Sequence, residues 1–173
     1  MAHLVRNTGI ESDSWQLLES PQALTAALTL EASQAPGALL PLPLWLATRD
    51  ACRGTPLRLG VQLEATDDPE DLLSDLGRLE LIAVNFKRFT DGRGYSIARL
   101  LRARWGYRGE LRAVGDILID QLFYLMRVGF DAYALRDDQD PLAVAAALRA
   151  FSTSYQSGAD EPLPLFRRRH AVG

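Results

Sequence analysis

Four short apolar runs recur through the middle of the chain, LRLGVQL (57–63), LELIAVNF (79–86), GELRAVGD (109–116) and DAYAL (131–135), starting 22, 30 and 22 residues apart. Each is followed by a stretch with helical features: PEDLLSDLGRL, SIARLLRARWGY, ILIDQLFYLMRVGF and PLAVAAALRAFSTSY. The first opens with a proline and two acids, as a helix start does. The second sets Ile97, Leu100, Leu101 and Trp105 on one face. Strands and helices alternating at this spacing predict parallel βα units with right-handed crossovers.

The 173 residues suit one domain and fall short of the ~250 usual for a closed eight-stranded barrel. No dinucleotide fingerprint follows the first strand. The expected fold is therefore α/β, a single domain of parallel βα repeats with a half-barrel-like or open flavodoxin-like sheet. Residues 1–56 are the least regular and are expected as an irregular N-terminal segment packing on the core. There SWQLLE suggests a short strand, PQALTAALTLEASQ and LWLATRDACR helices, and PGALLPLPL a proline-punctuated connector. Residues 57–155 form the βα core, and 156–173 have the composition of a mobile tail. A half-barrel would expose sheet edges, which a homodimer would cover.

Composition excludes several chemistries. With Cys52 as the only cysteine and both histidines, His3 and His170, at the ends, the chain itself offers no disulfide, zinc ribbon, iron-sulfur ligation or core histidine base. No metal site is expected, and the sequence names no cofactor. Catalysis would have to use Asp, Glu, Lys or Tyr. The uncharged run 32–48 carries three prolines and is too short to span a membrane, and MAHLVRNTGIESDSW lacks an apolar signal core, so the expectation is a cytoplasmic protein without membrane association.

The net charge of -3 conceals a segregation, because residues 78–112 hold nine basic and three acidic side chains. Arg99, Arg102 and Arg108 on that helix are the candidate partner-binding face, and a solvated salt-bridged face would look the same. An acidic balance with few interleaved aromatics gives no case for nucleic acid.

In parallel α/β folds the reactive groups gather at the carboxyl ends of the strands. FKRFTDGRGYS (86–96) sits at one such end. Gly92, Arg93, Gly94, Tyr95 and Ser96 form a candidate anion-binding loop, since a following helix would aim its free N–H groups and dipole there. Thr90 or Asp91 capping that helix is the competing reading. Candidate catalytic groups are Asp116 and Asp120, one turn apart and able to act as a carboxylate pair, and Lys87, the single lysine against eighteen arginines. Asp116 as a helix cap and Lys87 as an ordinary surface lysine are their plain alternatives. Glu110 and Arg112, two apart on a strand, must share a face.

The stretch from Leu81 to Leu135 resembles the bacterial domain of unknown function 934 family, through FTDGRGYS, GELRAVGD followed by DQLFY, and GFDA, with weaker signals reaching back to about Leu42. What the resemblance implies is an association with assimilatory sulfite reduction, under the heading of an oxidoreductase of that pathway; it assigns no reaction and no catalytic residue. The motifs fall on Asp91, Gly92, Arg93, Gly94, Tyr95, Ser96, Glu110, Arg112, Gly115, Asp116, Asp120 and Gln121. Asn85 and Phe86 stand where that pattern often has proline before its lysine. Six-electron reduction of sulfite requires siroheme and an iron-sulfur cluster, which one cysteine cannot ligate. The expectation is an accessory protein that binds a sulfur oxyanion, sulfite reductase or another sulfur-assimilation protein. The alternative is a small α/β enzyme acting on an anionic, phosphate- or sulfur-containing substrate.

Overall fold

The structure is a computed structural model, and residues 3–6, 9–30, 35–149 and 154–170 are described. The strands are β1 (His3–Arg6), β2 (Gly9–Glu11), β3 (Trp15–Leu17), β4 (Gly37–Pro41), β5 (Leu59–Glu64), β6 (Leu81–Phe86), β7 (Glu110–Gly115) and β8 (Ala132–Leu135). They make one sheet in the order β2-β1-β8-β7-β6-β5-β4-β3. From β3 to β8 every neighbouring pair is parallel, while β1 runs antiparallel to β8 and β2 antiparallel to β1. The six parallel strands therefore lie side by side in chain order. That is the half-barrel arrangement; the order reversal of an open doubly wound sheet does not occur.

β2 and β3 are the two edges, yet only residues 12–14 connect them. Four Cα steps span at most roughly 14 Å. The sheet is therefore curled far enough to bring its edges within that reach. Very short strands, and a β1–β2 ribbon with no helix of its own, let a chain of this length supply eight strands.

Strand residues alternate between two environments, as the two-residue period requires. Leu40, Val61, Leu63, Ile82, Val84, Leu111, Ala113 and Tyr133 join one large buried cluster with residues of every helix from α1 to α5: α1 (Pro21–Leu28), α2 (Leu42–Thr48), α3 (Arg93–Arg99), α4 (Leu122–Val128) and α5 (Val144–Leu148). The helices thus cover a single face, the consequence of crossovers that never change direction. The other face holds a small cluster of Leu39, Leu81 and Ala83 with Trp15 and Val114 against it.

That inner face also carries a charged network at the amino ends of the strands. Arg112, 2% exposed, donates Nη1 to Asp13 Oδ2 at 2.8 Å and Nε to Glu110 Oε1 at 2.7 Å. Arg6 pairs with the other oxygen of Glu110, Oε2, at 2.5 Å and with Glu11. Asp13 belongs to the three-residue bridge between the edges, so Arg112 in mid-sheet holds that bridge in place. The shared face expected for Glu110 and Arg112 is present, with two further partners.

Several local expectations are corrected. PGALLPLPL is not a connector throughout, because Gly37–Pro41 forms β4 between β3 and β5. PEDLLSDLGRL yields only a 3-10 turn, Pro69–Leu72, followed by turns. Asp68 caps the turn, its Oδ1 accepting from Glu70 N, while Asp75 is drawn inward by Trp45 and two arginines. The helix predicted from SIARLLRARWGY widens to a π-helix over Leu100–Arg104. The ends of PQALTAALTLEASQ (31–34) and of the closing helix (150–153) lie outside the described residues.

The segment expected as a mobile tail, 156–173, includes α6 (Leu165–His170), and the chain from Ser154 onward is tied to α4: Ala159 N donates to Arg127 O at 2.7 Å, and the Arg127 guanidinium bonds Ser154 Oγ, Gln156 O and Asp160.

Candidate functional site

The carboxyl ends of β5 to β8 bring most of the predicted residues onto one rim. Asn85 Nδ2 donates to Glu64 Oε1 at 3.0 Å, and Lys87 Nζ lies 3.1 Å from Glu64 Oε2. Asp116 Oδ2 accepts from Phe89 N at 3.0 Å while its Oδ1 meets Arg136 Nη1 at 2.9 Å. Arg136 also grips Asp138 through two bonds of 2.7 and 2.6 Å. Gln121 bridges loops by donating Nε2 to Phe89 O at 2.9 Å and accepting from Leu118 N at 3.0 Å. The rim is cross-braced, and the cations Lys87, Arg93 and Arg136 on it each already have a carboxylate.

The anion loop is organised around Asp91. Arg93 donates Nε to Asp91 Oδ1 at 2.9 Å and Nη2 to Oδ2 at 2.6 Å, and Arg93 N reaches Oδ1 at 3.1 Å. Those side-chain bonds, then the backbone bond, hold the Asp91 carboxyl down to about 2 and raise the guanidinium pKa. An incoming anion would have to displace a bidentate carboxylate. Asp91 takes the N–H of Arg93, the first helical residue, while the N-cap position is Gly92 and carries no side-chain cap bond.

Gly94 is buried, and a Cβ there would lie 2.4 Å from Phe86 Cζ, so this glycine permits helix-on-strand packing. Nothing crowds Gly92. Tyr95 packs edge-on to Phe86 at 5.6 Å, its hydroxyl pKa raised by burial, while Ser96 faces outward.

The three candidate catalytic groups do not converge. Lys87 has a 72% exposed side chain beside Glu64. The Asp116 pKa is lowered, first by the Phe89 N–H and then by Arg136. Asp120 is exposed on the turn Ile119–Gln121 and shares none of Asp116's partners. Among the described residues no group of three or more His, Cys, Asp or Glu is placed to hold a metal, and no helix is long and apolar enough to cross a membrane.

The predicted basic face also divides. Arg102 is turned inward, donating to the carbonyls of Gly129, Tyr107 and Gly109 and to Asp131 Oδ2 at 2.8, 2.8, 2.7 and 2.5 Å, which removes it from any partner surface. Arg99 and Arg108 remain exposed.

A feature the sequence reading missed lies beside the rim. A cleft of about 820 Å³ runs between α3 and α4, lined by Tyr95, Arg99, Gln121, Tyr124 and Arg127, with Tyr155 on its outer wall. A second hollow of about 450 Å³ shares Arg99 and Tyr155 and reaches Phe166. Tyr124, Tyr155 and Phe166 are 61%, 73% and 54% exposed, and Arg99 makes no hydrogen bond or ion pair among the described residues. The only hint in the sequence is ILIDQLFYLMRV, whose bulky residues outnumber what one buried helix face can take. Tyr155 and Phe166 sit in segments whose placement over α4 depends on Arg127, a long-range bond that no local pattern announces.

A family model described as "Bacterial protein of unknown function (DUF934)" matches residues 60–166, spanning β5 to the start of α6 and including both the rim and the cleft. No curated protein matches the chain.

Proposed function

The chain belongs to the DUF934 family of bacterial proteins, and we propose that it is an accessory protein of assimilatory sulfate and sulfite reduction that acts by docking on sulfite reductase. The observation that carries the docking is the cleft between α3 and α4. Exposed tyrosines around an unpaired arginine have the composition of the few residues that dominate protein interfaces. The pathway rests on the likeness of FTDGRGYS and GELRAVGD to that family. Arg99 and Arg108 supply the basic contribution, with Arg102 holding the helix in shape behind them.

The enzyme alternative has less to support it, since Asp116, Asp120 and Lys87 point to no common centre. The anion loop is also better supported as structure than as a sulfur-oxyanion site, because Arg93 is neutralised by Asp91.

Purified protein and the host's sulfite reductase, measured by biolayer interferometry, test the docking. Arg99→Glu and Tyr155→Ala should each weaken binding about 30-fold, the equivalent of a ~2 kcal/mol interface residue. Absence of binding, or equal affinity for wild type and both variants, overturns the proposal.

A further inference from the structure

Far from the cleft, three arginines converge on a polar hollow of about 390 Å³ lined by Arg49, Asp50, Arg53, Ser74, Asp75 and Arg78. It lies where the loops after α2 and after Pro69–Leu72 lead back to the amino ends of β5 and β6. We propose that this hollow binds a small divalent oxyanion, of the sulfate, sulfite or phosphate class.

Charge and unengaged donors carry the inference. Asp75, 5% exposed, is a single carboxylate serving two guanidinia: Oδ2 lies 3.3 Å from Arg49 Nη1, and Oδ1 lies 3.2 Å from Arg78 Nη1. Oδ2 also accepts from the buried indole of Trp45 at 3.0 Å. Asp50 is paired with Arg53 at 2.9 Å. Three guanidinia therefore face two carboxylates, and one positive charge is left over.

Asp75 and the Arg49 carbonyl, which takes Arg78 Nη2 at 3.2 Å, fix Arg49 and Arg78 side by side. Asp75 carries one negative charge against the two guanidinia it joins, so a further anion is attracted there. Nε and Nη2 of Arg49, Nη1 of Arg53 and the Ser74 hydroxyl have no partner among the described residues. Planar guanidinium forks with donors to spare suit a tetrahedral or pyramidal oxyanion, and the hollow has room for one with its remaining water. Asp75 is a positioning residue, holding Arg49 and Arg78 in place.

Trp45 is a built-in reporter, since Arg78 lies over its ring at 5.3 Å. The test titrates the full chain with sodium sulfate, sulfite or phosphate at constant ionic strength set by chloride, reading tryptophan emission and heat of binding. A saturable response to at least one of these anions is expected, and the order of affinities identifies the source. Arg49→Gln should weaken the response at least tenfold. Arg53→Gln, at the solvent edge, should weaken it as well and keeps the test decisive if the first variant does not fold. Arg93→Gln should leave it unchanged. No saturable response, an equal response to chloride, or a response retained in both Arg49→Gln and Arg53→Gln overturns the site. These outcomes are independent of the docking measurement, so either proposal can fail alone.

Discussion

Single residues explain how a loop rich in polar groups is held in place. Asp91 and Arg93 satisfy one another, and Gly94 lets α3 lie against Phe86. Gly94→Ala should cost about 1–3 kcal/mol, the usual penalty of overpacking, read as a lower urea midpoint. Gly115 is more constrained, since its φ of 95° favours glycine and a Cβ would approach Phe86 O to 2.4 Å. Two buried tyrosines give a pH signature. The Tyr107 and Tyr133 hydroxyls donate to Leu79 O and Phe130 O at 3.1 and 3.0 Å, and burial, the largest cause, raises both pKa values above 10.0. Above about pH 10 the unfolded chain loses these protons while the folded chain keeps them. Stability is therefore fully present below that pH and falls as pH rises, by up to about 1.4 kcal/mol per pH unit for each tyrosine. Buried Cys52 contributes in the same direction from about pH 9. Urea denaturation between pH 8 and 11 should show the fall, and the Tyr107→Phe/Tyr133→Phe variant should flatten it.

At the scale of elements, regular segments were legible and irregular ones were not. β5 to β8 announce themselves because each is a compact apolar run with a turn on either side. β4 reads as a connector because Pro36 precedes it and Pro41 ends it, positions where a strand end tolerates proline. β1 and β2 are four and three residues long and acquire their identity only by pairing, β1 with β8 and β2 with β1. The seam between β2 and β3 depends on Asp13 meeting Arg112, 99 residues away, which no periodicity can encode. Asp13→Ala removes a partner from a buried guanidinium and should cost about 1–3 kcal/mol. Hydrogen exchange should quicken through residues 9–17 and hardly change in β6.

Across the whole molecule, the sequential sheet puts α1 to α5 on one face and gathers the strand ends into a rim, as parallel βα repeats imply. The candidate catalytic and anion residues do fall mostly on that rim. There Lys87 pairs with Glu64 and Asp116 with Phe89 N and Arg136, and pairing of this kind between distant loops lies beyond a one-dimensional reading. The cleft between α3 and α4, held open from outside by the segment that Arg127 anchors, is the surface the account relies on. Arg102→Ala should test the division of labour on the basic helix, with a loss of about 2–4 kcal/mol in stability from the broken inward bonds. The cleft variants Arg99→Glu and Tyr155→Ala should stay within about 0.5 kcal/mol of wild type, as surface substitutions do.

The most direct measurement is growth of a deletion strain of the host bacterium on sulfate, sulfite, sulfide or cysteine as sole sulfur source, complemented with wild-type or Arg99→Glu/Tyr155→Ala protein. The account predicts failure on sulfate and sulfite, rescue by sulfide and cysteine, restoration by wild type, and no restoration by the cleft variant. Normal growth of the deletion strain on every source, or full restoration by the cleft variant, would contradict it.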